Sequence, residues 1–257
     1  MNDADPRTPL DLERLQRAAG PTWQVRLHAA AESTNALASA AAEPGLVVVA
    51  DHQTAGRGRL GRSWVTPRGA ALTFSAVLDP TLDDEWWPLV PLVAGYAVAQ
   101  TVQGSLKWPN DVLLGGHKVC GILVERVHVR AHGSEKPLAV VGIGLNVDQT
   151  AEELPVPTAT SLALAGGPRD RTRLLGEVLT RLAEAIDVAA RSPAAFVDIF
   201  RPLCDTLGRI VRVDLPGGAE LTGLAVEIDD HGRLVVEDDD GRTPVAAGDV
   251  VHVRAAG

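Results

Sequence analysis

Two apolar runs, Leu46 to Ala50 and Ala71 to Leu78, bracket a loop of alternating glycine and arginine, Gly56-Arg57-Gly58-Arg59-Leu60-Gly61-Arg62. This arrangement does most to restrict the possible folds. Glycine lets backbone amides approach a ligand and adopt positive φ, and arginine forks grip carboxylate or phosphate oxygens in pairs, so the loop predicts a clamp for an anionic ligand. Gly56, Gly58 and Gly61 fit G-x-G-x-x-G, and Gly56 to Ser63 fits a phosphate loop with Arg62 in place of its lysine. Both templates need a helix to open at the last glycine, with its amides facing phosphate. Here Ser63-Trp64-Val65-Thr66-Pro67 runs through Gly69 into a strand pattern, which excludes a dinucleotide fold and a P-loop. A disordered Arg/Gly tail that touches nucleic acid also fails, because apolar strand candidates flank the loop on both sides.

The 257 residues, 46% of them hydrophobic, suffice for one large domain and a smaller one. A formal charge of -9 argues against a general nucleic-acid binder. Cys120 and Cys204 lie far apart and suit buried free thiols in a reducing cytoplasm. Met1 to Pro6 has no basic, apolar leader pattern. Trp86 to Ala99 is too short and proline-broken to span a bilayer, so neither secretion nor a membrane role is expected.

Thr8 as cap, Pro9 at the first helical position and Gly20 as terminator predict a short first helix. Fewer than thirty residues precede the strand Trp23 to Leu27, too few for a helix-turn-helix unit, so no repressor activity is expected. Ser33-Thr34-Asn35 opens a second helix, and Glu85 to Gln103 reads as a helix buried on most sides. Short strands at Leu106 to Trp108, Val112 to Leu114, Val119 to Val129 and Leu138 to Leu145 predict hairpins and a mixed or antiparallel sheet. Arg169 to Ala189 and a segment capped by Ser192-Pro193 are helical. Beyond Arg209 the pattern is strand and turn throughout, a five-strand barrel. The expected division is 1–206 and 207–257.

Only three lysines stand among 24 basic residues, and two of them, Lys107 and Lys118, lie eleven apart. A chain that otherwise uses arginine places a compact ammonium there, where a planar fork would not fit. With Arg57, Arg59 and Arg62 they offer five positive charges, and Asp111 with Asn110 offers oxygens suited to Mg²⁺, which together suit a nucleoside triphosphate. Pro109-Asn110-Asp111 is equally good turn chemistry. Gly142-Ile143-Gly144-Leu145-Asn146 permits close backbone approach and an amide contact to a heterocycle, and Trp64 suits either purine stacking or a place in the core.

These residues resemble those of the biotin protein ligases, whose G-R-G-R-x-G-R-x-W, K-W-P-N-D, K-x-x-G-I-L-x-E and G-x-G-x-N segments all occur here in order. The resemblance runs from Ser33 to Asn146, and Gly223 to Arg254 resembles the family's small C-terminal barrel. It implies an α+β catalytic domain of the class II synthetase and biotinyl/lipoyl ligase type, with a mixed, largely antiparallel sheet packed with helices, followed by an SH3-like barrel. It implies that biotin is held by Ser33, Thr34, Asn35, Gln53, Gly56, Arg57, Arg59, Lys118 and Gly121. Nucleotide contacts fall to Arg57, Arg59, Arg62, Trp64, Lys107, Asn110, Asn146 and Arg254, metal contacts to Asp111 and Asn110, and catalysis to Lys118, Arg59 and Lys107. ATP and biotin are the implied substrates, with Mg²⁺, and a biotin carboxyl carrier protein is the implied acceptor. Lipoate ligases share the fold and supply the alternative substrate. A biotin or nucleotide sensor is the non-enzymatic alternative.

Overall fold

The computed structural model describes residues 7–80, 82–131, 134–215, 217–246 and 248–253. Seven strands form the main sheet: β1 (Gln24–His28), β2 (Leu46–Ala50), β3 (Ala71–Leu78), β4 (Ser105–Lys107), β5 (Asp111–Leu114), β6 (His117–Ala131) and β7 (Ser134–Asn146). Their order is β1-β2-β3-β7-β6-β5-β4. Only β1 and β2 run parallel, and the remaining ladders are antiparallel, so the sheet is mixed as expected.

Every residue of β2 and β3 is buried, which explains their unbroken apolar character. Alternate side chains still serve different cores. Val47, Val49, Leu72, Phe74 and Ala76 join a large cluster with helices α1 (Leu12–Ala19), α3 (Leu89–Val102), α4 (Arg171–Arg191) and α5 (Pro193–Phe200). Leu46, Val48, Val77, Leu138 and Val140 face the opposite way, toward Ala38 of α2 (Thr34–Ala41). With eight residues, α2 is about 12 Å long and covers only part of that face. The strand positions continuing beyond its N-terminus are Ser75, Gly142, Gly144, Gly121 and Leu123, with Gly121 opposite Gly144 and Leu123 opposite Gly142. A glycine-floored hollow therefore opens where the second helical layer stops.

The first helix begins later than Thr8 and Pro9 suggest, with Asp11 as cap accepting from the Arg14 amide at 2.8 Å. The preceding residues are taken by tertiary bonds. The Thr8 carbonyl accepts from Arg171 at 2.7 Å, and the Leu10 amide donates to Asp51 at 3.1 Å. Buried Arg171 also donates to the Asp51 carboxylate at 2.8 Å, so an ion pair fixes the point where the chain leaves β2 for the arginine loop. A fully satisfied pair of this kind adds little net stability but is costly to break.

The second sheet holds β8 (Ile210–Asp214), β9 (Glu220–Ile228), β10 (Leu234–Asp238), β11 (Gly241–Val245) and β12 (Asp249–His252), in the order β11-β10-β9-β8-β12 and antiparallel throughout. Among the described residues no ladder joins β11 to β12, so the five expected strands are present but hydrogen bonds do not close them into a ring. Their inward side chains, including Val211, Val213, Ile228 and Val236, belong to the same apolar cluster as the main sheet and α3. Gly232, at φ 76 in the turn between β9 and β10, makes this docking possible. A Cβ there would lie 2.6 Å from Leu89 and 3.0 Å from Leu92 of α3.

Candidate active site

Ser33 caps α2 and places Thr34 and Asn35 over the glycine floor. Thr34 donates to the Gln53 side-chain oxygen from its amide (2.8 Å) and its hydroxyl (3.1 Å). Ser75 Oγ lies 2.7 Å from Thr34 Oγ1 and 2.5 Å from Asn35 Oδ1, within hydrogen-bond distance of both, with one hydroxyl proton to give. These buried groups form a preorganised polar end to the hollow, with donors and acceptors fixed before any ligand arrives. Asn35 continues the network by donating to Glu125 at 2.8 Å.

The other end is cationic. Arg57, Arg59 and Lys118 line the same cleft as Ser33, Thr34, Asn35 and Gln53, with Gly121, Leu123, Gly142 and Gly144 beneath. Lys118 sits 2.6 Å from Asp111 Oδ1, and its ammonium lies 5.9 Å from the centre of the Trp64 ring. That indole rests directly on Gly144 and Gly121. A Cβ at Gly121 would lie 3.1 Å from the ring, and one at Gly144 2.6 Å from Cζ2. Among the described residues the Trp64 Nε1–H has no acceptor, which leaves a buried donor packed over Gly144. With the indole in place the enclosed space is about 60 Å³.

The arginine loop is tied down along its length. Arg57 pairs with Glu125 at 3.3 Å, and Arg59 donates to Asn110 Oδ1 at 2.9 Å and to the Gly248 carbonyl at 3.1 Å. Arg62 pairs with Asp249. Burial draws the Arg59 guanidinium below its ordinary pKa, against the opposing pull of Asp249 and Asp111. The Asp249 hydrogen bond and charge raise that of Arg62.

The structure thus brings Arg57, Arg59, Lys118, Ser33, Thr34, Asn35, Gln53, Trp64, Asn110 and Gly121 to one place. Gly56 stands at the loop's base, where a Cβ would lie 2.9 Å from the Gln53 side chain. Arg62 lies on the loop's outer side, in a second groove of about 590 Å³ lined also by Trp87, Trp108 and Arg126. Lys107 does not line the cleft; its charge acts on His252 of β12. Asn146 ends β7 with its amide engaged by the Thr160 carbonyl (3.0 Å) and Gln149 (2.9 Å). Asn110 spends its side-chain oxygen on Arg59 and its amide nitrogen on the Ile122 carbonyl, which leaves Asp111 as the oxygen donor of the expected metal pair. Arg254 lies outside the described residues.

Sequence reasoning gave no role to Ser75, Glu125 or Asp249. Ser75 looks like any residue of an apolar strand, and Glu125 and Asp249 act through partners 68 and 187 positions away. Cys120 and Cys204 are both buried free thiols, and burial pushes each thiol's pKa up, so neither offers a nucleophile.

Known proteins share this arrangement. Residues 28–146 match the biotin/lipoate A/B protein ligase family, and residues 206–253 match the biotin protein ligase C-terminal domain. The chain is 41% identical to a biotin-(acetyl-CoA-carboxylase) ligase of Mycobacterium tuberculosis, over 99% of this chain and all of that protein. It is 31% identical to the bifunctional ligase/repressor BirA of Bacillus subtilis, over 85% of this chain and 70% of that protein. A solved biotin protein ligase from Aquifex aeolicus, in complex with biotin and ATP, superimposes with a TM-score of 0.75 at 29% identity, over 90% of this chain and 99% of that one. Given a full-length relative and a site assembled from the segments that define the group, the chain belongs to the biotin/lipoate A/B protein ligase family.

Proposed function

We propose that this protein is a biotin protein ligase, which activates biotin with ATP to biotinyl-5′-AMP and passes the biotinyl group to a lysine of a biotin carboxyl carrier protein or domain. The observation that carries this reading is the convergence of Arg57, Arg59 and Lys118 on a cleft whose far end is the Thr34–Gln53–Ser75 network. A neutral, hydrogen-bonding head group fits the polar end. The carboxylate at the end of an apolar tail then reaches the cations across Gly121, Gly142 and Gly144.

In the first step a carboxylate oxygen of biotin attacks the α-phosphorus of ATP, and the bond to the bridging oxygen breaks with loss of pyrophosphate. Two anions must approach, so Lys118 and Arg59 offset their repulsion and stabilise the charge that builds on the α-phosphate oxygens. Magnesium enters with ATP as part of the substrate, and Asp111 supplies an oxygen toward it, since Mg²⁺ is commonly held by one or two carboxylates plus phosphate oxygens. In the second step the acceptor's neutral ε-amine attacks the acyl carbon, and AMP leaves. Between the steps the mixed anhydride must be kept from water, the task of the loop bearing Arg57 and Arg59.

A drug-sized ligand needs roughly 300 Å³ or more, so entry of biotin requires Trp64 and the loop to shift from the position that leaves about 60 Å³. We assign residues 1–206 to catalysis and residues 207–257 to a supporting C-terminal domain. Among the described residues no helix is long and apolar enough to cross a membrane. We place the reaction in the cytoplasm, where unpaired thiols such as Cys120 and Cys204 persist. The activity is ligation alone, with no nucleic-acid or membrane partner.

The decisive assay supplies labelled ATP with either biotin or lipoate and follows pyrophosphate release and transfer to a carrier domain. Release with biotin, followed by carrier labelling, is expected. Release with lipoate alone would reassign the substrate, and ligand binding without release would make the protein a sensor.

A further inference from the structure

The polar end of the cleft has a direction as well as a shape. Asn35 Nδ2 donates to the Glu125 carboxylate at 2.8 Å and to the Leu123 carbonyl at 3.3 Å, both of them acceptors, so its Oδ1 is turned toward Ser75. Thr34, Asn35 and Ser75 are all buried, and their contacts are settled among themselves. At 2.5 Å the Ser75–Asn35 contact is the shortest of them, and two oxygens at that distance need a proton between them. An amide oxygen has none to give. The Ser75 proton therefore points to Asn35, and the 2.7 Å contact between the two hydroxyls is filled by the proton of Thr34. Thr34 Oγ1 then has no proton left for Gln53 Oε1, 3.1 Å away, which already accepts from the Thr34 amide at 2.8 Å. Gln53 Nε2 is turned to the base of the arginine loop, where a Cβ on Gly56 would lie 2.9 Å from it. What the network offers a ligand is lone pairs, on Thr34 Oγ1 and Gln53 Oε1.

We propose that Glu125 is a positioning residue for recognition of the head group: by fixing the Asn35 amide it sets the direction of each proton in the chain, and so makes the far end a pair of acceptors that selects a ligand presenting N–H. This role rests on the biotin reading of the cleft and deepens it, since the ureido ring of biotin carries two N–H donors and the dithiolane of lipoate carries none. Glu125 lies on β6 two residues beyond Leu123, on the face that floors the hollow, and acts on the head group through Asn35 and Ser75. Without its carboxylate the amide is held by the Leu123 carbonyl alone and is free to turn over. Ser75 can then give its proton to Thr34, whose own proton swings away from Ser75, and the far end becomes a mixture of donors and acceptors. The same carboxylate oxygen meets Arg57 at 3.3 Å, a longer contact to a guanidinium that is 49% exposed, so an effect through Arg57 has to be told apart from one through Asn35.

The test titrates the full-length protein by isothermal calorimetry, without ATP, with biotin and with the two cyclic-carbamate analogues in which a ring oxygen replaces one ureido N–H. Wild type should reject at least one analogue roughly a hundred-fold or more, because lone pairs on the ligand then face lone pairs on Thr34 or Gln53. Glu125→Leu should narrow that ratio about ten-fold, Ser75→Ala should do the same, and the double variant should narrow it no further, since both residues act through one chain. Glu125→Gln, which still offers an oxygen to Asn35, should keep the wild-type ratio. A general weakening of the fold moves biotin and analogue together and leaves the ratio alone. With 31% of its side chain exposed, Glu125 tolerates replacement, and Glu125→Ala stands in should the leucine variant not fold. An unchanged ratio in Glu125→Leu, or equal narrowing in Arg57→Gln, would overturn the assignment, as would equal affinity of wild type for biotin and both analogues. Failure of wild type to bind biotin at all would instead overturn the biotin reading of the cleft, and the role of Glu125 with it.

Discussion

Lys118 occupies the position where residue chemistry matters most, at the cleft, 2.6 Å from Asp111 and facing the Trp64 ring. Removing a preorganised charge from a developing oxyanion typically costs about 10²- to 10³-fold in rate. Lys118→Ala should lose at least that much in biotin-dependent ATP–pyrophosphate exchange while keeping its thermal midpoint. Exchange at the wild-type rate would remove Lys118 from the mechanism. Gly144 tests the floor of the cleft. Trp64 already fills the space above it, so Gly144→Ala must displace a rigid ring rather than a flexible chain end. Overpacking of this kind costs about 1–3 kcal/mol, and we expect the KM for biotin to rise roughly ten-fold, read by isothermal titration or steady-state kinetics. The same two residues show what a sequence conveys at this scale. Lys118 stood out because lysine is scarce in the chain, whereas the meaning of Gly144 depends on an indole eighty positions earlier that folds onto it.

Among the elements, the arginine loop combines exposure with many tethers. Arg59 alone joins it to Asn110 of the turn before β5 and to Gly248 before β12. Arg59→Gly removes both charged hydrogen bonds and should let biotinyl-5′-AMP escape, with free adenylate rising about ten-fold or more and unrelated lysines becoming labelled. Unchanged free adenylate in the medium would show that retention lies elsewhere. The strands flanking this loop were readable because uniformly apolar runs bounded by glycine have few other solutions, and β2 and β3 fall where the pattern put them. The first helix was not, since Thr8 and Pro9 form a good local start signal that tertiary bonds from Arg171 and Asp51 override. Ring closure of the C-terminal strands was equally out of reach of pattern, because strand lengths and turns specify neighbours and not the joining of the two outer edges.

On the scale of the molecule, the join between the two sheets carries a titratable group. Thr206 accepts from the Trp108 amide at 3.0 Å and lies 3.2 Å from His252 Nε2. Burial, then Lys107 and Arg209, lower the His252 pKa from 6.5 to about 4, with Asp205 opposing them. The unfolded chain thus binds a proton that the folded one refuses between those values. Stability attributable to this histidine is complete above pH 6.5 and is lost as pH falls toward 4. Thermal unfolding across that window should be steeper for wild type than for His252→Gln, and parallel curves would show that His252 titrates freely.

Trp108 receives its position from the far end of the polypeptide, its amide fixed by Thr206 and its ring nitrogen by the Gly232 carbonyl at 3.0 Å. Asn110 and Asp111 follow it directly in the chain. While the ribosome has yet to deliver residues 206 to 232, that turn lacks its supports. A nascent chain therefore gains the geometry to spend ATP only after that last stretch has been made.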